Sequence, residues 1–251
     1  MTENGQAKKM RINRYLAQCG LGSRRQCDRL VEEGRIRVNG KTVASLGMRV
    51  IPGQDVVEYR GKKLSPVETI EYVAYHKERG TVVTALDPEG RPTIYDALAE
   101  TGRRYDELRY VGRLDLDSEG LLLLTNDGDL VHRLTHPRYH VKKSYRVQID
   151  KPLSDEHARV MVDEGVVSEG QRLHAGAVRP VSGAPVREHW YGVDLYEGKK
   201  RQIRRIFDGL GYRVIRLIRL QFGVVKLDGL LPGEVRPLTE REVAGLKKLG
   251  W

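Results

Sequence analysis

Residues 112–129 read Gly-Arg-Leu-Asp-Leu-Asp-Ser-Glu-Gly-Leu-Leu-Leu-Leu-Thr-Asn-Asp-Gly-Asp, a string of charged side chains leading straight into four consecutive leucines. A short unbroken apolar run has no polar face to turn toward water, so it fits a strand buried inside a sheet. Asp127-Gly128 then reads as a tight turn closing that strand, because Asp and Gly tolerate the positive φ such turns need. Asp115 falls on the loop entering the core. A carboxylate there is partly desolvated, which costs free energy unless cations or hydrogen bonds hold it, and such a site suits chemistry.

The 251 residues have room for a small domain and a medium one, each with its own core. Charge divides the chain in the same way. Residues 1–63 carry 14 Lys/Arg against 6 Asp/Glu, and the remainder 30 against 28, within a net charge of +10. A cationic head on a nearly neutral body points to a polyanionic partner, since Lys and Arg gain by displacing counterions from phosphates. The alternative is a solvated, solubilising face. Two cysteines, Cys19 and Cys27, are too few for a disulfide framework or a zinc quartet, so a reducing, cytosolic setting is expected. Residues 1–10 are polar, and no apolar run approaches the ~20 residues that span a bilayer, so neither secretion nor membrane insertion is expected.

Residues 1–9 read as a disordered tail. Arg11 to Cys19 reads as a helix with Ile12, Tyr15, Leu16 and Cys19 on one face. Ser23 and Gln26 form a capping box for a second helix ended by Gly34, with Cys27, Leu30 and Val31 inward and Arg24, Arg25 and Arg29 outward. Ile36 to Val38, Asn39-Gly40 and Thr42 onward read as a hairpin, followed by a strand at 56–59. Arg60 to Glu68 is the expected linker. Beyond it lies an α+β region with strands at 72–75, 144–149 and 190–196 and helices at 94–100, 129–134, 154–163 and 200–210. The last of these helices has Ile203, Ile206, Phe207 and Leu210 at i, i+3, i+4, i+7, opposite Arg201, Arg204, Arg205 and Asp208. Thr239 and Glu242 cap a final helix.

Asp115, Asp117, Glu119 and Gly120 match the start of a calcium loop, but Asn126 stands where the bidentate Glu belongs and leucines fill the later positions. Gly192 to Lys199 is one residue too long for a phosphate-binding loop and lacks its Ser/Thr. No histidine pair has the spacing of a metal motif.

Three ordered motifs remain: Gly112-Arg-Leu-Asp115 followed by Gly-Leu-Leu-Leu-Leu-Thr-Asn-Asp-Gly; Lys143-Ser-Tyr145-Arg-Val147; and Glu197-Gly-Lys-Lys-Arg-Gln-Ile-Arg204-Arg-Ile-Phe207. They resemble the signatures of the RsuA/RluB group of ribosomal RNA pseudouridine synthases. The amino-terminal module resembles the S-four-like (alpha-L) RNA-binding domain of that group. The chain departs from the family pattern at Lys77-Glu-Arg-Gly80, where Lys-Pro-x-Gly is usual, and at Ser118, where Thr is usual.

The resemblance implies an α+β chain, with an S-four-like domain at residues 10–60 and a catalytic domain at 68–251 built on a mixed, largely antiparallel sheet. It makes Asp115 the nucleophile of an isomerase that detaches uracil, rotates it and rejoins it through C5. Arg204 is then the arginine that pairs with Asp115 and holds it ionised, and Tyr145 the ring that stacks on the flipped base. Arg24, Arg25, Arg29 and Lys41, with Arg113, are the expected RNA contacts. No cofactor and no metal are implied. The expected partner is ribosomal RNA or a ribosome-assembly intermediate, met in the cytoplasm by a monomer. The stretch Leu231-Pro-Gly-Glu-Val-Arg-Pro-Leu-Thr239 favours large-subunit (23S) over small-subunit (16S) RNA. A non-catalytic RNA-binding assembly factor is the rival from another class.

Overall fold

The four leucines occupy the middle of a nine-stranded sheet, and both faces of that sheet are covered. The computed structural model describes residues 9–249 except 68, 104, 184, 186 and 187. The chain divides into two compact units, Met1–Ile70 and Glu71–Trp251. Apart from Lys9, the tail expected at 1–9 lies outside the described residues.

The first unit comprises β1 (Met10–Arg11), α1 (Ile12–Gln18), α2 (Arg24–Glu32), β2 (Ile36–Val38), β3 (Lys41–Val43), β4 (Arg49–Val50), β5 (Val57–Tyr59) and β6 (Lys62–Lys63). Ser23 and Gln26 close the capping box on α2 from both sides. Asn39 and Gly40 take φ of 49° and 76°, the left-handed pair that joins β2 to β3 by a two-residue turn. Ile12, Leu16, Cys27, Val31, Ile36 and Val57 are fully buried and form its core. The expected linker is corrected here. Arg60 and Gly61 also take positive φ, and the hairpin they make pairs Lys62 and Lys63 with β5. Those lysines therefore belong to the small sheet, while Glu68 lies outside the described residues.

The second unit comprises β7 (Tyr72–Lys77), α3 (Ile94–Ala99), β8 (Arg109–Tyr110), β9 (Glu119–Thr125), α4 (Gly128–Thr135), β10 (Lys143–Ile149), α5 (Asp155–Asp163), β11 (Val166–Ser168), β12 (Gln171–Leu173), β13 (Ala177–Pro180), β14 (His189–Leu195), α6 (Gln202–Gly209), β15 (Val214–Phe222), β16 (Val225–Lys226), β17 (Val235–Pro237) and α7 (Glu240–Lys248). The sheet order is β13-β14-β10-β15-β9-β7-β17, with β16 on β15 and β8 on β9. Among the named strands of this sheet in the described residues, only β15 and β9 run parallel; the other pairs are antiparallel. The fold is α+β.

The leucine run divides by the two-residue period of a strand. Leu122 and Leu124 enter one core with Val147, Ile206 and Phe207, and Leu121 and Leu123 enter the other with Leu130, Phe222 and Leu246. Burying each leucine contributes about 1.5–3 kcal/mol, which fixes β9 as a central strand. The tight turn expected at Asp127-Gly128 is a helix start instead. Asp127 has φ −74°, and its Oδ1 accepts the Leu130 amide at 3.0 Å as the cap of α4. The carboxylate thus satisfies a free helix N–H, and no positive φ is needed.

Candidate active site

One row of backbone crosses five strands. Lys77 on β7 is level with Gly120 on β9, Gly120 with Arg219 on β15, Arg219 with Tyr145 on β10, and Tyr145 with Val193 on β14. Gly120 makes this possible. It has φ +104°, and a Cβ there would stand 2.4 Å from the Arg219 carbonyl oxygen and 2.7 Å from its nitrogen. Only glycine lets β15 come this close beside β9.

The segment entering β9 carries Asp115. Leu114 is buried in the larger core and anchors it. The Ser118 amide donates to the Asp115 carbonyl at 3.0 Å, closing a turn, and the Gly80 amide donates to the Leu116 carbonyl at 2.9 Å. Lys77 clamps the turn from beneath. Its fully buried ammonium donates to the Ser118 and Glu78 carbonyls, both at 2.8 Å, and reaches that of Leu116 at 3.5 Å. Burial pushes Lys77 down to about 8, against the opposing pull of Asp117, Asp115 and Glu119.

Arg204 clamps the other side. The i, i+3, i+4 stripe of Ile203, Ile206 and Phe207 packs α6 into the core, which presents Arg204 to the turn. Its guanidinium donates to the Asp117 carbonyl at 3.0 Å and the Val214 carbonyl at 3.1 Å, and pairs with the Asp117 carboxylate at 3.1 Å. Arg201, which precedes the first turn of α6 in left-handed conformation, pairs with the same carboxylate at 3.3 Å. The expected Arg204–Asp115 pair is therefore corrected: the ion partner is Asp117. The reason is the turn itself, which carries the side chain two residues on against α6 and leaves Asp115 within electrostatic range only.

The three carboxylates of the segment thus have separate roles. Asp117 holds two arginines, and Glu119 is 2.8 Å from Arg216. The Asp115 side chain makes no hydrogen bond or ion pair among the described residues, and it is half-buried. Committed to arginines, Asp117 and Glu119 cannot wrap an ion, and no group of three His, Cys, Asp or Glu fit to hold a metal occurs among the described residues.

Tyr145 starts the inward series Tyr145, Val147, Ile149 on β10 and is 9% exposed within the larger core. The ladder shifts register between Ser144 and Tyr145. Beside Tyr145 lies Arg219, which is 1% exposed. Its Nε donates to the Leu121 carbonyl at 2.6 Å, its cation sits 5.2 Å from the Phe222 ring centre, and its Nη2 has no hydrogen-bond partner among the described residues. Burial lowers the pKa of Arg219, opposed by Tyr145, and pushes the neighbouring Lys143 down to about 8. Arg113 is exposed in the loop before the turn. In the first unit Arg24, Arg25, Arg29 and Lys41 are all exposed, with Arg24 also donating to the Asn13 amide oxygen at 3.3 Å.

Sequence reasoning missed Lys77, Asp117 and Arg219 as members of this constellation. The one signal for Lys77 was its place in the Lys-Glu-Arg-Gly segment, and nothing local marks Arg219.

Residues 71–208 match the family model described as RNA pseudouridylate synthase, and residues 10–56 match that of the S4 domain. The chain is 34% identical over 240 residues to ribosomal large subunit pseudouridine synthase B of Bacillus subtilis, covering 95% of this chain and 96% of that protein. It is 38% identical over 240 residues to the Pseudomonas aeruginosa protein of the same description, covering 93% of this chain and 60% of that one. A solved structure described as a pseudouridylate synthase superposes with a TM-score of 0.64 at 29% identity, over 94% of this chain and 99% of the other. Fold, site and matches define an RNA-modifying isomerase with an amino-terminal S4 module. The chain belongs to the RNA pseudouridylate synthase family, as the resemblance of its motifs implies.

Proposed function

We propose that the chain converts a uridine of large-subunit (23S) ribosomal RNA to pseudouridine, with Asp115 as nucleophile, Arg204 as the catalytic arginine that clamps its turn and Tyr145 as the ring against the flipped base. The observation that carries this assignment is the division of the carboxylates: Asp117 and Glu119 are held by arginines, and Asp115 alone is left uncommitted on a turn clamped by Lys77 and Arg204. A nucleophile needs an ionised group with a free lone pair in a fixed place, and rigid backbone clamping supplies the place. In the reaction the C1′–N1 bond breaks, the uracil turns, C5 bonds to C1′ and gives up a proton, and N1 takes one. No atom is gained or lost. Tyr145 stacks on the base and stands to receive the C5 proton.

The large-subunit target rests on the relatives in B. subtilis and P. aeruginosa, both described as large-subunit enzymes. Residues 10–60 hold the RNA through Arg24, Arg25, Arg29 and Lys41, and residues 68–251 carry the catalysis, with Arg113 on the backbone near the target. The chain acts as a cytoplasmic monomer on ribosomal RNA or an assembly intermediate. Among the described residues no helix is long and apolar enough to cross a membrane.

The test is tritium release from C5-labelled uridine in separate large- and small-subunit transcripts, comparing wild type with Asp115→Asn. Because the Asp115 side chain has no hydrogen-bond or ion-pair partner among the described residues, the isosteric amide leaves the fold intact. Release from the large-subunit transcript by wild type alone is expected. Release by the variant would remove Asp115 from the mechanism, and release from the small-subunit transcript alone would reassign the target.

A further inference from the structure

The two arginines that hold Asp117, Arg201 and Arg204, also line a pocket of about 430 Å³. Its walls come from the polar face of α6, the start of β15 and the turn between β11 and β12. Five cationic side chains line it, namely Lys200, Arg201, Arg204, Arg205 and Arg213. The only carboxylates in its lining are Glu169 and Asp208.

Most charged helix faces are solvated and flexible, but this one is built. The Arg204 and Arg205 side chains are each only 12% exposed. Arg205 is fixed by the Ser168 carbonyl and by the Ser168 hydroxyl at 3.3 Å, with the highly exposed Glu169 carboxylate 3.6 Å away. The buried Nε of Arg204 has no acceptor among the described residues. A buried donor left unmatched is unfavourable. At the rim, Lys200 and Arg213 are exposed and form no ion pair within 4 Å among the described residues. Two fixed guanidinium groups and two exposed cations, with the Asp150 carboxylate within electrostatic range of Arg213, form a receptor for a tetrahedral oxyanion.

We propose that this pocket seats a backbone phosphate of the RNA strand that carries the target uridine. The inference rests on the reading of the chain as an enzyme acting on ribosomal RNA, which supplies the phosphodiester. Arg201 and Arg204 each touch the pocket and the Asp117 carboxylate, so a phosphate seated there registers the strand against the turn that bears Asp115. The site is a positioning subsite: it fixes where along the strand the nucleophile falls and reads no base.

The experiment uses the full chain with Lys200→Gln and Arg213→Gln combined. Both side chains are exposed, so folding is preserved, and the thermal midpoint checks that. Tritium release is measured against RNA concentration at several salt concentrations, on the transcript that wild type modifies. Removing two phosphate-facing charges lowers the magnitude of the log–log salt slope by about 1–2 and weakens RNA binding several-fold, the loss appearing in KM rather than kcat. A second arm uses short RNAs with a single neutral methylphosphonate linkage moved stepwise around the target. One linkage weakens wild type but not the variant, because its phosphate partner is already gone. An unchanged salt slope and KM, or methylphosphonate losses equal in both proteins at every linkage, overturns the pocket. Absence of release by wild type from every ribosomal transcript and from ribosome-assembly intermediates alike overturns instead the reading on which it rests, so the two failures are distinct.

Discussion

Replacing Arg204 by Gln removes the group that ties the Asp115 turn to α6, and double-mutant cycles identify which aspartate it ties. The guanidinium is 3.1 Å from the Asp117 carboxylate, with side chains 12% and 35% exposed, and donates to two backbone carbonyls besides. Unit charges about 4 Å apart interact by about 1 kcal/mol in water and about 4 kcal/mol near a protein surface. Water reaches the Asp117 carboxylate, which brings the expected coupling to about 1–2 kcal/mol. The single substitution also orphans the two carbonyl contacts and loses about 2–4 kcal/mol in all. Asp115 has no ion pair among the described residues, so the cycle of Arg204→Gln with Asp115→Asn yields a coupling below about 0.5 kcal/mol. Urea unfolding followed by the emission of Trp190, on β14, measures both cycles in the right place, since that residue belongs to the second unit. A coupling to Asp115 equal to or larger than that to Asp117 would refute the reasoning and restore the direct pair expected from the motifs.

Other perturbations test other parts of the row. Gly120→Ala is expected to destabilise the second unit by at least about 3 kcal/mol, because positive φ and overlap with the Arg219 backbone act together; a loss under 1 kcal/mol in the same urea assay contradicts the close approach. Lys77, at about 8 in the folded protein against 10.5 in an open chain, binds fewer protons folded than unfolded across that interval. Stability from this group therefore rises with pH from about 8 to 10.5, by up to about 3 kcal/mol, and Lys77→Met removes that rise. Urea midpoints of the two proteins that run parallel from pH 7.5 to 10 rule the assignment out. In the first unit, Arg25→Ala is expected to lower the salt slope of RNA binding by about 0.7–0.9 without changing kcat, read by filter retention and tritium release; an unchanged slope takes Arg25 out of the interface.

Local patterns carried much of the architecture. The capping boxes at Ser23 and Thr239 and the left-handed pair Asn39-Gly40 are written in neighbouring residues because the hydrogen bonds and dihedral angles concerned span only a few positions. The stripe of Ile203, Ile206 and Phe207 and the unbroken leucine run likewise announced a packed helix and a buried strand, since periodicity follows from the burial of one face or two. Asp127 shows where such reading stops. Asp-Gly suits a turn and a helix cap alike, and the amide of Leu130 three residues on decided between them.

What the sequence by itself determined was the family, the order of its motifs and the candidates Asp115, Tyr145 and Arg204. Tertiary structure alone decided their relations. Lys77 lies 38 positions before Asp115 in the chain and Arg204 lies 89 after it, yet both fix the same turn. Arg219 is the buried neighbour of Tyr145 only because β15 pairs with β10, and it reaches β9 only because residue 120 has no side chain. Charge identity and short-range hydrogen bonding are properties of the residues themselves. Which cation meets which carboxylate depends on strands and helices brought together by burial of their apolar faces, and here that packing gave Arg204 to Asp117 and left Asp115 free.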